Sequence, residues 1–207
     1  IDSELLSIVE IGPGEGTLSG DLIKAISEIN PYLISKIELV LVELNMGMRK
    51  RQEKVVNNLN GVNFRWTKLE DLILNPVTGV VIANEVLDAF PVERLVFRDN
   101  NVFRLGVSLK EISGEYCLKF VDLEPTYEIM QFLKGSKSLL KIEFPPKDIC
   151  NGWVTEWHCD IPSWFRKLSK ALINGSVLVV DYALEAKRYY NASRKDGTLI
   201  SYRNQEA

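Results

Sequence analysis

The stretch that decides the fold is Ser7–Leu22, "SIVEIGPGEGTLSGDL". A short apolar run at residues 8–11 leads into glycines at the alternate positions 12, 14 and 16, and a helical pattern begins at Leu18. Glycines between a strand and a helix let the backbone approach a ligand closely. The stretch therefore predicts the first strand–helix unit of a ligand-binding α/β domain.

The segments that follow repeat this alternation of strand and helix. Strands are predicted at residues 7–11, 36–45, 62–66, 79–84 and 176–181, and helices at 18–29, 46–59 and 162–173. The run at 36–45 is almost continuously apolar, which is typical of a parallel strand covered on both faces. We therefore predict an α/β fold of the Rossmann-like class, with a mostly parallel central sheet and helices on both faces.

The middle of the chain departs from this alternation. Residues 92–123 predict three short strands joined by turns, a β-meander, followed by a helix at 126–133 and a strand near 139–144. We interpret residues 1–207 as a single domain in which 92–160 form an inserted cap that selects the substrate. Because the chain starts at Ile1 almost directly in a strand, we expect it to be a fragment of a longer protein, cut at both ends.

Composition narrows the classes of function. The 207 residues are 46% hydrophobic and 26% charged with a net charge of −3, and no dense Lys/Arg stripe suggests nucleic-acid binding. No apolar run reaches the ~18 residues of a membrane span. Cys117, Cys150 and Cys159 lack CxxC spacing, which favours a reducing, cytoplasmic setting. With His158 as the only histidine, a catalytic triad or a metal site is disfavoured.

The acids around the glycines indicate which ligand the loop binds. A dinucleotide fingerprint needs a third glycine at position 17, which is Thr17, and Glu10 and Glu15 would repel a pyrophosphate. S-adenosylmethionine instead carries a sulfonium and an ammonium, which suit Glu10, while Glu43 can accept hydrogen bonds from two ribose hydroxyls. We therefore predict this cofactor. A plain strand-to-helix turn is the structural alternative, and a nicotinamide oxidoreductase is the least supported one.

Several motifs together resemble the MidA-like family of class I methyltransferases: "VEIGPGEGTL", "ANEVLDAFPVERL", "GSVLVVDYA" and "RYYNASRKDGTL". Mitochondrial members of that family are protein-arginine methyltransferases that assist assembly of respiratory complex I. The resemblance implies a protein substrate, such as a complex I-like dehydrogenase subunit, and a cytoplasmic location in a bacterium or the mitochondrial matrix in a eukaryote. The candidate cofactor-binding residues are Glu10, Gly12, Pro13, Gly14, Gly16, Glu43, Leu69 and Asn84.

The acids after the fourth predicted strand suggest the chemistry of the acceptor. An arginine stays protonated, so a site that methylates it must orient the guanidinium, and paired carboxylates do this with bidentate hydrogen bonds. "NEVLD" places Glu85 and Asp88 at the carboxyl end of a strand, where α/β sheets bind ligands, and we expect one helical turn to present both. The alternative is that they cap the next helix. Glu156 and Asp181 are further candidates.

The sequence therefore predicts a methyltransferase that uses S-adenosylmethionine and acts on a protein arginine, with Glu85 and Asp88 as its catalytic residues. Two other classes stay open: a small-molecule methyltransferase, and a non-catalytic assembly factor that binds S-adenosylmethionine.

Overall fold

The computed structural model describes residues 5–201. The strands within this range are β1 (Leu6–Ile11), β2 (Ile37–Val42), β3 (Asn63–Thr67), β4 (Val77–Asn84), β5 (Glu93–Arg98), β6 (Asn101–Ile112), β7 (Glu115–Leu123), β8 (Trp153–Trp157) and β9 (Leu172–Val180). The helices are α1 (Thr17–Ile29), α2 (Pro31–Ile34), α3 (Met46–Val56), α4 (Leu69–Leu74), α5 (Tyr127–Leu140), α6 (Ile161–Ala171) and α7 (Ala186–Tyr189).

Five strands form a parallel sheet in the order β3-β2-β1-β4-β9. Alternate residues of β2 enter two different cores, as the apolar run predicted: Val40 packs on one face and Leu39 on the other. Side chains of α4 and α6 complete the first core, and those of α1, α2 and α3 complete the second. The predicted α/β fold with a parallel central sheet and helices on both faces is confirmed.

The helix predicted at residues 18–29 is present as α1, but it is buried over only part of its length. Ile23 is buried in the second core, but Leu18 is 41% exposed and Ile29 is 85% exposed. The helix is therefore anchored mainly at its centre. Helix α4 was not predicted, because its six residues are too few to show a helical period.

A second, antiparallel sheet has the order β7-β6-β5-β8. The three predicted strands of the meander are present as β5, β6 and β7, whereas β8 was missed because its five residues show no alternation of apolar and polar side chains. Within the described part of the chain, residues 5–90 and 160–182 form one compact unit, and residues 91–159 and 183–201 form another. That the second unit acts as a substrate-selecting cap stays a prediction.

The prediction of a strand near residues 139–144 is wrong. Helix α5 continues to Leu140 and ends at Lys141, whose left-handed backbone (φ 55°) stops it. Phe144 then joins an aromatic cluster, with ring centroids 5.5 Å from Phe132 and 4.8 Å from Tyr190. Phe144 thus packs among aromatic rings of the second unit without pairing in a sheet, whereas Leu139 is 70% exposed.

Candidate functional site

The register of the parallel sheet brings the predicted cofactor residues to one edge. Ile11 lies opposite Val42 in β2 and opposite Ala83 in β4. The residues that follow these three, namely Gly12, Glu43 and Asn84, therefore leave the carboxyl ends of adjacent parallel strands. This edge is where open α/β sheets bind ligands.

The glycine loop has the backbone that its sequence requires. Gly12, Gly14 and Gly16 have φ values of 63°, 53° and 84°, a left-handed region that glycine adopts without strain. The loop closes with a hydrogen bond of 2.7 Å from the Gly16 amide to the carbonyl of Pro13, which is buried. No atom lies within 4 Å of where a Cβ would stand on Gly14, so a ligand can approach the backbone there.

Glu43 is the first acidic residue after β2, and its half-buried carboxylate is held by two donors. Its Oε1 accepts from the Asn45 amide at 2.7 Å, and its Oε2 accepts from Gln52 Nε2 at 3.3 Å. Arg49 donates from Nε and Nη2 to the Glu43 carbonyl at 2.9 and 2.5 Å. The side chain and the main chain of Glu43 are thus both oriented before any ligand binds.

Glu10 lies inside the sheet, with only 4% of its surface exposed. Ser19 Oγ on α1 donates a hydrogen bond to Glu10 Oε2, which ties the helix to the strand below the glycine loop. Burial raises the pKa of the Glu10 carboxyl above its ordinary value of 4.5, and the hydrogen bond from Ser19 opposes that rise.

The raised pKa predicts how stability changes with pH. At low pH the Glu10 carboxyl is protonated in both the folded and unfolded chain. As pH rises past 4.5, the unfolded chain loses this proton first, so the free energy of unfolding falls until pH exceeds the folded-state pKa. We expect Glu10→Gln, which keeps an acceptor for Ser19, to be more stable than the wild type near pH 7 but not near pH 4.

Urea unfolding of both proteins across this pH range measures the difference. A stability gain that is the same at every pH would contradict the titration of Glu10 as its cause.

The turn after β4 is not the helical turn that the sequence predicted. Residues 85–90 form bends and turns, and Glu85 has a left-handed φ of 50°, which is unusual for a residue with a side chain. The alternative that Glu85 and Asp88 cap a following helix is also wrong, since β5 is the next element. Both side chains are exposed, and neither carboxylate has a hydrogen-bond or ion-pair partner among residues 5–201.

Asp181, directly after β9, holds this turn in place. Its Oδ2 accepts from the amides of Leu87 and Asp88 at 2.8 and 3.3 Å, and the Glu85 amide donates to the Val180 carbonyl at 2.8 Å. Asp181 was predicted as a possible substrate contact, whereas in the structure it binds backbone amides. Its position at the end of the predicted strand 176–181 was the signal in the sequence, although β9 itself is mostly exposed.

Two other candidates occupy different surroundings. Asn84 is exposed at the end of β4, beside Val180 in the sheet register. Leu69 begins α4 and packs against the first core, so its side chain lies among apolar residues. The roles of both in cofactor binding stay predictions.

Glu156 belongs to the second unit, where it is 2% exposed in β8. Its Oε2 accepts from the amide and hydroxyl of Thr198 at 2.8 and 3.0 Å, and its Oε1 lies 3.8 Å from Arg94 Nε. A Cβ at Gly197 would stand 2.1 Å from Glu156 Oε1, so a side chain there would displace this carboxylate. These contacts indicate that Glu156 anchors residues 197–198 against β8.

Residues 5–201 lack two kinds of feature. They contain no group of three or more His, Cys, Asp and Glu side chains placed to hold a metal ion. None of the helices in this range is both long and apolar enough to cross a membrane.

A family model described as "Putative S-adenosyl-L-methionine-dependent methyltransferase" matches residues 2–207. The chain belongs to this family. The resemblance to MidA-like methyltransferases is confirmed to that extent, and the cofactor predicted from the glycine loop and its acids is the one that the family description names.

Two crystal structures of proteins from Burkholderia thailandensis resemble this family member. One is of an uncharacterized protein that is 26% identical, with a TM-score of 0.73, and the match covers 95% of this chain and 48% of that one. The other, a "likely methyl transferase" bound to S-adenosyl-homocysteine, is 25% identical with a TM-score of 0.71, and the match covers 95% and 46%. This family member thus spans about half the length of these solved proteins.

The residues at the sheet edge fit S-adenosylmethionine chemically. The side chains that flank the loop are carboxylates, which attract its sulfonium and ammonium and disfavour a phosphate. One residue that joins these parts, Gln52, was not predicted from the sequence; it is buried on α3 and contacts both the loop and Glu43. The signal in the sequence that could have found it is an uncharged polar residue between the charged residues Arg51 and Glu53.

Proposed function

We propose that this chain takes part in methyl transfer from S-adenosylmethionine to an arginine of a partner protein, such as a complex I-like dehydrogenase subunit. The observation that carries the proposal is the pair of exposed, unpartnered carboxylates of Glu85 and Asp88 on a turn at the same sheet edge as the glycine loop. Carboxylates suit an acceptor that stays protonated, because they can accept hydrogen bonds from its guanidinium.

On the cofactor side, the proposal assigns the ribose hydroxyls to Glu43. Because its carboxylate is already oriented by Asn45 and Gln52, its remaining lone pairs can accept from both hydroxyls without further ordering. Glu10 supplies a negative charge beneath the loop for the cationic part, and the open side of Gly14 admits the methionine chain. When bound, S-adenosylmethionine supplies an electrophilic methyl group on sulfur.

On the acceptor side, Glu85 and Asp88 would accept hydrogen bonds from the guanidinium N–H groups. When two carboxylates bind the same guanidinium, they draw its positive charge toward the nitrogens that they bond. The remaining nitrogen then has a more available lone pair. Methylation there forms an N–C bond and breaks the carbon–sulfur bond, and the nitrogen releases one proton, which a neighbouring carboxylate can accept.

The acceptor is tested by product analysis. The full-length protein is incubated with methyl-labelled S-adenosylmethionine and purified complex I subunits, and labelled proteins are hydrolysed to amino acids. We expect label in methylarginine, and loss of label when the modified arginine of that subunit is replaced by lysine. Label in methyl-lysine, or in a small molecule present in the reaction, would contradict the proposal.

The same experiment separates the two alternatives. Transfer to a small molecule with no labelled protein would indicate a small-molecule methyltransferase. Cofactor binding without transfer to any subunit would indicate an assembly factor that only binds S-adenosylmethionine.

A further inference from the structure

Gln52 is a fully buried polar side chain on α3, with 0% of its surface exposed. Its Nε2 donates to the Gly14 carbonyl at 2.7 Å and to Glu43 Oε2 at 3.3 Å. Its Oε1 accepts from the indole Nε1 of Trp66 on β3 at 2.7 Å. The side-chain amide of Gln52 therefore links the glycine loop, Glu43 after β2, and Trp66 on β3.

The chemistry of these partners leaves only one orientation of the amide. Trp66 Nε1 can only donate, and the Gly14 carbonyl and the Glu43 carboxylate can only accept. The oxygen of Gln52 must face the indole, and both N–H groups must face the loop and Glu43. Trp66 thus orients Gln52, and Gln52 in turn orients the two groups at the sheet edge.

We propose that Gln52 is a positioning residue that holds Glu43 and the glycine loop at the separation that the adenosine ribose and the methionine chain require. The inference rests on the proposed role of Glu43 in ribose binding. It assigns Gln52 no contact with the ligand, since its side chain is fully buried.

Few other side chains could do this. A glutamate of the same shape would set a carboxylate against two acceptors, Gly14 O and Glu43 Oε2, and repel them. A methionine would fill the space but leave the Trp66 indole N–H without its buried partner, which is destabilising. Gly16 lies close as well, because a Cβ there would stand 3.5 Å from Gln52 Cγ.

A purely structural role would produce a different result. If Gln52 only stabilises the fold, its replacement lowers the free energy of unfolding but leaves the affinity of the folded protein for its ligand unchanged. If it acts through Glu43, its replacement weakens ligand binding, and this effect depends on whether Glu43 is present.

A double-mutant cycle with S-adenosylhomocysteine tests this. Calorimetry gives the Kd of the wild type, Gln52→Met, Glu43→Ala and the double variant, each below its unfolding temperature. We expect Gln52→Met alone to weaken binding about tenfold, the effect of one lost positioning hydrogen bond. In the Glu43→Ala background the same substitution should weaken binding by about threefold or less, the remainder coming from the loop.

Val56→Ala is the matched control, since Val56 lies one turn further along α3 and is also fully buried. It should lower the melting temperature with an unchanged Kd. If Gln52→Met does not fold, Gln52→Leu, which also removes the amide without adding a charge, replaces it in the cycle with the same expected effects.

Two negative outcomes are distinct. If the wild type does not bind S-adenosylhomocysteine, the proposed function fails. If the wild type binds but the two substitutions act independently, or Gln52→Met binds as well as the wild type, only the role of Gln52 is overturned.

Discussion

Replacing Glu43 with alanine is expected to weaken binding of S-adenosylmethionine and S-adenosylhomocysteine by about two orders of magnitude. Hydrogen bonds to a charged acceptor contribute ~1.5–3 kcal/mol each, and the carboxylate is placed to accept two from the ribose. A loss of about 3 kcal/mol corresponds to about a hundredfold in Kd. The change in Kd is measured by calorimetric titration of the wild type and the variant with both ligands and with NAD.

Glu15→Ala provides the control for this prediction. Glu15 is an acid in the same loop, but it is exposed and bonds Arg51 at 3.2 Å on the surface. Surface ion pairs contribute little to stability or binding. We therefore expect the Kd of Glu15→Ala for S-adenosylhomocysteine to remain within about threefold of the wild-type value. Equal losses in both variants would mean that general negative charge, not Glu43, attracts the ligand. Preferential binding of NAD would overturn the assignment of the cofactor.

The second large effect is expected at the turn after β4. Glu85→Gln and Asp88→Asn should each lower the rate of methyl transfer about a hundredfold, the usual result of removing one preorganised group that stabilises charge in a transition state. Each keeps the size of its side chain and removes only the charge. Since neither carboxylate has a partner in residues 5–201, folding should not suffer.

Two measurements on each variant distinguish a loss of methyl transfer from a loss of cofactor binding. Single-turnover rates report transfer, and the Kd for S-adenosylhomocysteine should match the wild type because these residues are assigned to the acceptor. Asp21→Asn, an exposed acid on α1, is the charge-matched control and should transfer at the wild-type rate. Unchanged transfer in both Glu85→Gln and Asp88→Asn would remove these residues from the catalytic assignment.

The parallel half of the fold was predictable because its signals are local. A buried strand such as β2 shows in six consecutive residues, and the positive φ values at Gly12, Gly14 and Gly16 explain why glycine is needed at all three. The prediction of Glu43 beside the loop needed only the rule that parallel strands end at one edge, which the register confirms. Those elements depend on residues close in sequence.

The turn at Glu85 was not predictable in the same way. Its three-residue spacing from Asp88 fits a helix, but Asp181, 94 residues after Leu87, binds the amides that a helix would have used. Likewise, Glu156 reaches a partner 42 residues away in Thr198. The spacing of residues in sequence predicts a turn or helix only where no distant side chain binds the backbone amides of that segment.

The sequence by itself thus determined the parallel sheet, the glycine loop and the chemical character of the ligand. Each of these depends on signals within one strand–helix unit: the spacing of apolar residues, the glycines, and the charges of nearby side chains. The tertiary structure alone decided which polar atoms meet: Gln52 with Gly14 and Glu43, and Asp181 with the turn after β4. Hydrogen bonds need donor and acceptor within about 3 Å, and only the packed sheet brings residues so far apart in sequence to that distance.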